Sequence, residues 1–155
     1  MSNPSKELVE AEGTLRLVIE KLIDSQESFQ KIAESLKDEN VKQFFLAESL
    51  RRAQFRGDLE AVLHHEGVHD VKESGTAAGT VARAWGELKA ALGGSDHTLL
   101  ATAEEQEDAV KEAYADALNE GDLPFPIRQI LVTQAAHVQD SHDWVRAARN
   151  SRDAA

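Results

Sequence analysis

The chain has 155 residues, with 17 Lys and Arg against 28 Asp and Glu, a formal net charge of −11 and no cysteine. That length suits one domain built on one core, and the acidic balance argues against a nucleic-acid or anionic-membrane surface. Without cysteine there are no disulfides, no thiolate metal sites and no thiol catalysis. The N-terminus MSNPSKELVEAEG lacks a signal-peptide run, and no stretch reaches the roughly 18 apolar residues of a membrane span, so a soluble, cytoplasmic protein is expected. With only 3 Pro and 9 Gly among abundant Ala, Glu, Leu and Lys, the composition predicts an all-α chain.

In chain order, Ser5 is placed to cap a first helix running to about Lys37. Leu15, Val18, Ile19, Leu22, Phe29, Ala33 and Leu36 form its apolar stripe, with Gln26 inside it. The polar turn KDEN at 37–40 sends a second helix back antiparallel. With Phe55 at the centre of that helix, Val41, Phe44, Leu59 and Val62 fall within about 40° of it. So does Glu48, with Arg51 and Arg52 within about 60°. Charge on an apolar face demands partners, because charged side chains are rarely buried unpaired. The second helix ends near Gly67, and a shorter amphipathic helix follows over about 76–92, carrying Val81, Trp85, Leu88 and Leu92. Ser95 or Asp96 caps a third long helix to about Asn119, with Leu99, Ala103, Val110, Tyr114 and Ala117 inward and Gln106 and Glu107 on the same face. After the break GDLPFP a fourth helix runs from about Pro126 to Arg149. Its stripe is Ile127, Ile130, Leu131, Val138, Val145 and Ala148, with Gln134 central and His137 and His142 on the shoulders. The expected architecture is one domain over 1–155, ordered from about 6 to 149: two antiparallel helical hairpins joined by a long crossover that contains the shorter helix.

Each long helix thus sets polar groups into its apolar face near mid-length: Gln26; Glu48, Arg51 and Arg52; Gln106 and Glu107; Gln134 and His137. This resembles the ferritin-like four-helix bundles, whose di-iron members place a Glu from each of two helices and a Glu-x-x-His from each of the others at that depth. Taken helix by helix, Leu22 stands where the first Glu is expected. Glu48 to Arg51 looks like Glu-x-x-His with Arg in the His place, Glu104 or Glu107 could serve on the third helix, and Gln134 to His137 has Gln for Glu. Residues 5–150 also resemble an uncharacterised bacterial ferritin-like family with a GS-x-x-G-x-x-x-R-x-W-x-x-L-K crossover. SGTAAGTVARAWGELK (74–89) is similar, through Thr76, Ala77, Arg83, Trp85, Leu88 and Lys89, as are Glu107-Asp108-Ala109 and His142. The resemblance implies the fold and a bacterial origin, and no activity.

Two functional readings follow. In the favoured one, Gln26, Glu48, Arg51, Arg52, Gln106, Glu107, Gln134 and His137 satisfy one another in a buried network, without cofactor, in a non-catalytic, stress-associated or structural bundle. In the alternative, Glu48, Glu107 and His137 hold iron or manganese in a metal-binding protein or oxidoreductase. His65-Glu66-Gly67-Val68-His69 matches the H-E-x-x-H zinc motif. Gly67 ends the helix inside it, so the reading is a weak surface metal binder rather than an enzyme. Leu46, Leu50, Ala53 and Gly57 form a second stripe behind Phe55, to be covered by the crossover or, in a homodimer, by a second subunit.

Overall fold

The computed structural model describes residues 11–67, 86, 88–121 and 123–152. Four long helices fill them: α1 (Glu12–Ser35), α2 (Glu39–His65), α3 (Asp96–Leu118) and α4 (Phe125–Asn150). No strand occurs among the described residues. Most of the crossover predicted over 76–92 lies outside them, apart from a helical stretch at 88–91. Local chemistry sets the helix starts. Asp38 accepts hydrogen bonds from the Asn40 and Val41 amides at the head of α2, and Ser95 accepts from the Thr98 amide at the head of α3. At α4 a proline stands at the first turn, where its missing N–H costs nothing.

Side-chain bonds between helix ends fix the topology. Asp96, at the start of α3, accepts from the Lys37 and Asp38 amides between α1 and α2. Arg152, just past α4, donates to Asp38 at the same end. At the other end Thr14, in the first turn of α1, donates to Glu120 after α3. So α1 and α4 run one way and α2 and α3 the other. The chain between His65 and Asp96 therefore joins opposite ends of the bundle, about 35–40 Å apart at 1.5 Å per helical residue. Helix α1 packs against α2 and α3, and α4 against α3 and α2, as in a four-helix bundle of two hairpins.

The core has two apolar halves. Leu15, Ile19, Leu22, Leu59, Leu63, Val110, Ile127 and Leu131 belong to one. Phe29, Ile32, Phe45, Leu99, Ala103 and Val145 belong to the other, where Phe29 meets Phe45 edge-on at 4.8 Å. On α2 the buried face differs from the expected one. Its buried residues are Val41, Phe45, Glu48, Ser49, Arg52, Leu59 and Leu63. They centre on the direction of Arg52, about 60° from Phe55 by helical geometry. Phe55 and Val62 pack on the edge of one half, and Phe44 lies at the rim, stacked on Trp144 at 3.7 Å. Behind them Leu46 and Leu50 are 36% and 74% exposed. No helix among the described residues is long and apolar enough to cross a membrane.

Candidate functional site

Between the two apolar halves lies a charged layer centred on Arg52, whose side chain is completely buried. Nη1 and Nη2 donate to Oε1 and Oε2 of Glu107 at 2.7 and 2.9 Å, a bidentate pair across the bundle. Nη2 also donates to Glu48 Oε2 at 3.3 Å, one turn back on α2, and to Ser141 Oγ of α4 at 3.1 Å. The Ser141 hydroxyl passes its own hydrogen to Glu107 Oε2 at 2.7 Å. From the fourth side, the Phe29 ring of α1 lies 5.1 Å below the guanidinium carbon. Burial works against the guanidinium charge, but Glu107 and Glu48 outweigh it and hold Arg52 above its ordinary value.

The layer opens toward water through His137, 30% exposed, whose Nε2 lies 2.8 and 3.0 Å from the two Glu48 oxygens. A carboxylate only accepts, so His137 donates through Nε2. The same ring meets Phe55 edge-on at 5.3 Å. Arg51, half exposed, reaches Glu48 Oε1 only to 3.8 Å.

The structure therefore brings Glu48, Arg52, Glu107 and His137 into one connected set and adds Ser141, whose role the sequence did not signal. Glu48 and Glu107 both accept from Nη2 of the one guanidinium. Gln134 sits apart, in the apolar half that holds Leu22. It accepts from the buried Tyr114 hydroxyl at 2.7 Å and donates to the Phe55 carbonyl at 3.1 Å. Gln26 contributes its backbone carbonyl, which accepts from Ser49 at 2.8 Å. Gln106 has a buried side-chain oxygen that meets no hydrogen-bond donor. Of the zinc-motif residues, His65 ends α2 and Gly67 follows at φ 99°, while His69 lies outside the described residues.

A second polar cluster lies on the flank of the α3–α4 hairpin. Glu104, Asp108 and His142 present one donor atom each, all within 4.8 Å of one another. Glu104 and Asp108 are one turn apart on α3, and His142 faces them from α4. Asp143 stands on the other side of the imidazole, its Oδ1 3.2 Å from Nδ1, and Gln139 donates to the same oxygen at 2.9 Å. The hydrogen bond from His142 holds the Asp143 carboxyl below its ordinary range. Arg146 donates to Glu104 Oε2 at 3.3 Å, and Arg149 approaches Oε1 to 2.8 Å, off the line of a hydrogen bond. Sequence reasoning named Glu104, Asp108 and His142 one by one without joining them. The visible signal was the i, i+4 pair on α3 facing a histidine of α4.

Residues 10–120 match a family described as Domain of unknown function (DUF2383). No curated protein matches the chain.

Proposed function

The chain belongs to this DUF2383 family, whose description assigns no activity, and we propose that it is a non-catalytic, ferritin-like bundle whose central cation is its own Arg52. The observation that carries the reading is a fully buried guanidinium bonded to both Glu48 and Glu107. Ferritin-like proteins hold two irons at this depth with four Glu and two His. Against that donor set α1 offers Leu22, α2 has Arg51 in a His place, and α4 has Gln134 in a Glu place. The residues do not fit a di-iron centre. Amides are poor iron ligands, and a fixed positive charge bonded to both carboxylates repels a dication. The layer then serves structure: matched charges at one depth fix the register of α2 against α3, since sliding either helix would bury a charge without its partner.

A second reading rests on one contact. Glu48 and His137 touch at 2.8 Å on the water-facing edge of the layer, and with Glu107 they could ligate iron or manganese if Arg52 turned away. Thermal melting of wild type, Glu48→Ala and Glu48→Gln, with and without Fe²⁺ or Mn²⁺, decides between the two. The structural reading expects no metal effect that depends on Glu48. It also expects Ala to be the more harmful substitution, by about 1–3 kcal/mol, because Gln keeps the shape and some of the hydrogen bonds. A metal-dependent rise in melting temperature that both substitutions abolish would overturn it.

A further inference from the structure

His142 has a side chain only 1% exposed, yet it faces carboxylates from both ring nitrogens. Asp143 can only accept, so Nδ1 carries the hydrogen of that contact, and in the neutral ring Nε2 carries the lone pair. Nε2 lies 2.8 Å from Asp108 Oδ1 and 4.0 Å from Glu104 Oε2. It is buried and makes no hydrogen bond: an N–H there would not point at Asp108 Oδ1, and Glu104 Oε2 is too far away. A buried lone pair set against two carboxylate oxygens is an arrangement that calls for a cation. Zinc bonds nitrogen and carboxylate oxygen at about 2.0–2.2 Å, which puts tetrahedral neighbours about 3.4 Å apart. The 2.8 and 4.0 Å separations bracket that spacing.

We propose that Glu104, Asp108 and His142 bind one divalent transition-metal cation of the zinc type, with Asp143 orienting the imidazole from behind. A carboxylate that holds the far nitrogen of a ligating histidine fixes its tautomer and raises its basicity. The imidazole selects zinc-like ions over magnesium and calcium, which prefer oxygen throughout. Asp108, with a side chain 56% exposed, is the gate through which the ion enters, and water completes the coordination. The competing cations are Arg146 and Arg149 on Glu104, with a weaker pull from Lys111 on Asp143. Arg146, 52% exposed, turns outward when the ion takes Glu104 Oε2, while Arg149 keeps Oε1.

The test is calorimetric titration of the full, untagged chain with Zn²⁺, and with Mg²⁺ for contrast, in wild type, Asp108→Asn and His137→Gln. One Zn²⁺ per chain is expected, weakened at least tenfold by Asp108→Asn, unchanged by His137→Gln and not displaced by Mg²⁺. Because Asp108 is exposed, its variant keeps the fold, which circular dichroism checks. Binding that survives Asp108→Asn, as at the surface histidines His64 and His65, overturns the proposal. Loss with His137→Gln also overturns it, by moving the ion to the central layer. The Glu48 variants that test the structural reading do not touch this cluster, so either proposal can fail alone.

Discussion

Glu104 and Glu107 stand one helical turn apart on α3 and are treated in opposite ways. Glu107 is completely buried, and both of its oxygens are bonded to Arg52 and Ser141. Glu104 lies at the flank, held by Arg146 and Arg149 that are 52% and 29% exposed, beside an imidazole nitrogen with no hydrogen-bond partner. The difference is one of solvent access. At the centre of the bundle Arg52 and Glu107 are wholly buried, so the chain supplies their counter-charges itself. At the flank Glu104 and His142 are themselves buried, but Asp108 and Arg146, with side chains 56% and 52% exposed, form an open edge through which an outside cation can reach the cluster.

Substitution of the two glutamates gives the largest expected effect and tests this contrast directly. Glu107→Ala leaves Arg52 with Glu48, at 3.3 Å, as its one carboxylate partner and should cost about 3–5 kcal/mol of unfolding free energy. Glu104→Ala removes contacts to two arginines that are 52% and 29% exposed and can turn to solvent, so although Glu104 is buried it should cost less, about 1–2 kcal/mol. Urea unfolding of both variants checks the pair, and equal losses would break the comparison.

The helices themselves were legible. The expected first helix ended near Lys37 and the observed one ends at Ser35. The fourth was expected over about 126–149 and spans Phe125–Asn150. Apolar periodicity and capping chemistry suffice for that, because both act within one or two turns. The sequence places Arg52 on the apolar face of α2 but at its shoulder, with Phe55 at the centre, because apolar residues set the direction of a stripe. The partners on α3 and α4 bring Arg52 to the middle of the buried face. Glu107 is 55 positions from Arg52 and Ser141 is 89, and no local pattern reports how helices so distant in sequence line up. The same gap hid the flank cluster: Glu104 and Asp108 pair visibly on α3, but only the register of the α3–α4 hairpin brings His142 between them.

A neutral polar pair inside the apolar half sharpens the comparison at a smaller scale. Tyr114, 1% exposed, donates to Gln134, which in turn holds the Phe55 carbonyl. Tyr114→Phe should cost about 1–2 kcal/mol, less than Glu107→Ala because no charge is stranded. Burial pushes the phenol well above its ordinary value, with Arg52 pulling it down and Glu107 pushing it up more weakly. Its folded pKa exceeds its unfolded one, so this contribution is complete below about pH 10 and fades as pH rises beyond it. Tyr114 is the chain's one tyrosine, so phenolate absorbance reports it alone. The absorbance should appear together with alkaline unfolding. Ionisation at the ordinary pH in a folded protein would contradict the burial.

The smallest expected effect comes from the third polar group, at the end of α2. The helix that would have to carry an H-E-x-x-H site stops at His65, with Glu66 at the cap and Gly67 in the left-handed region. The motif needs two histidines on one helical face with the glutamate between them aimed at bound water, and that geometry depends on helix continuing past Glu66. What Glu66 meets instead is the negative end of the helix dipole, where a carboxylate is mildly unfavourable by about 0.3–1 kcal/mol and is screened by solvent. Glu66→Gln should therefore leave stability within about 0.5 kcal/mol of wild type, with any change on the stabilising side. It should also leave the Zn²⁺ titration of the flank site unmoved. Urea unfolding and the same calorimetry read both. A clear loss of stability, or of stoichiometric zinc, would place a working site at the helix end and make Glu66 part of it.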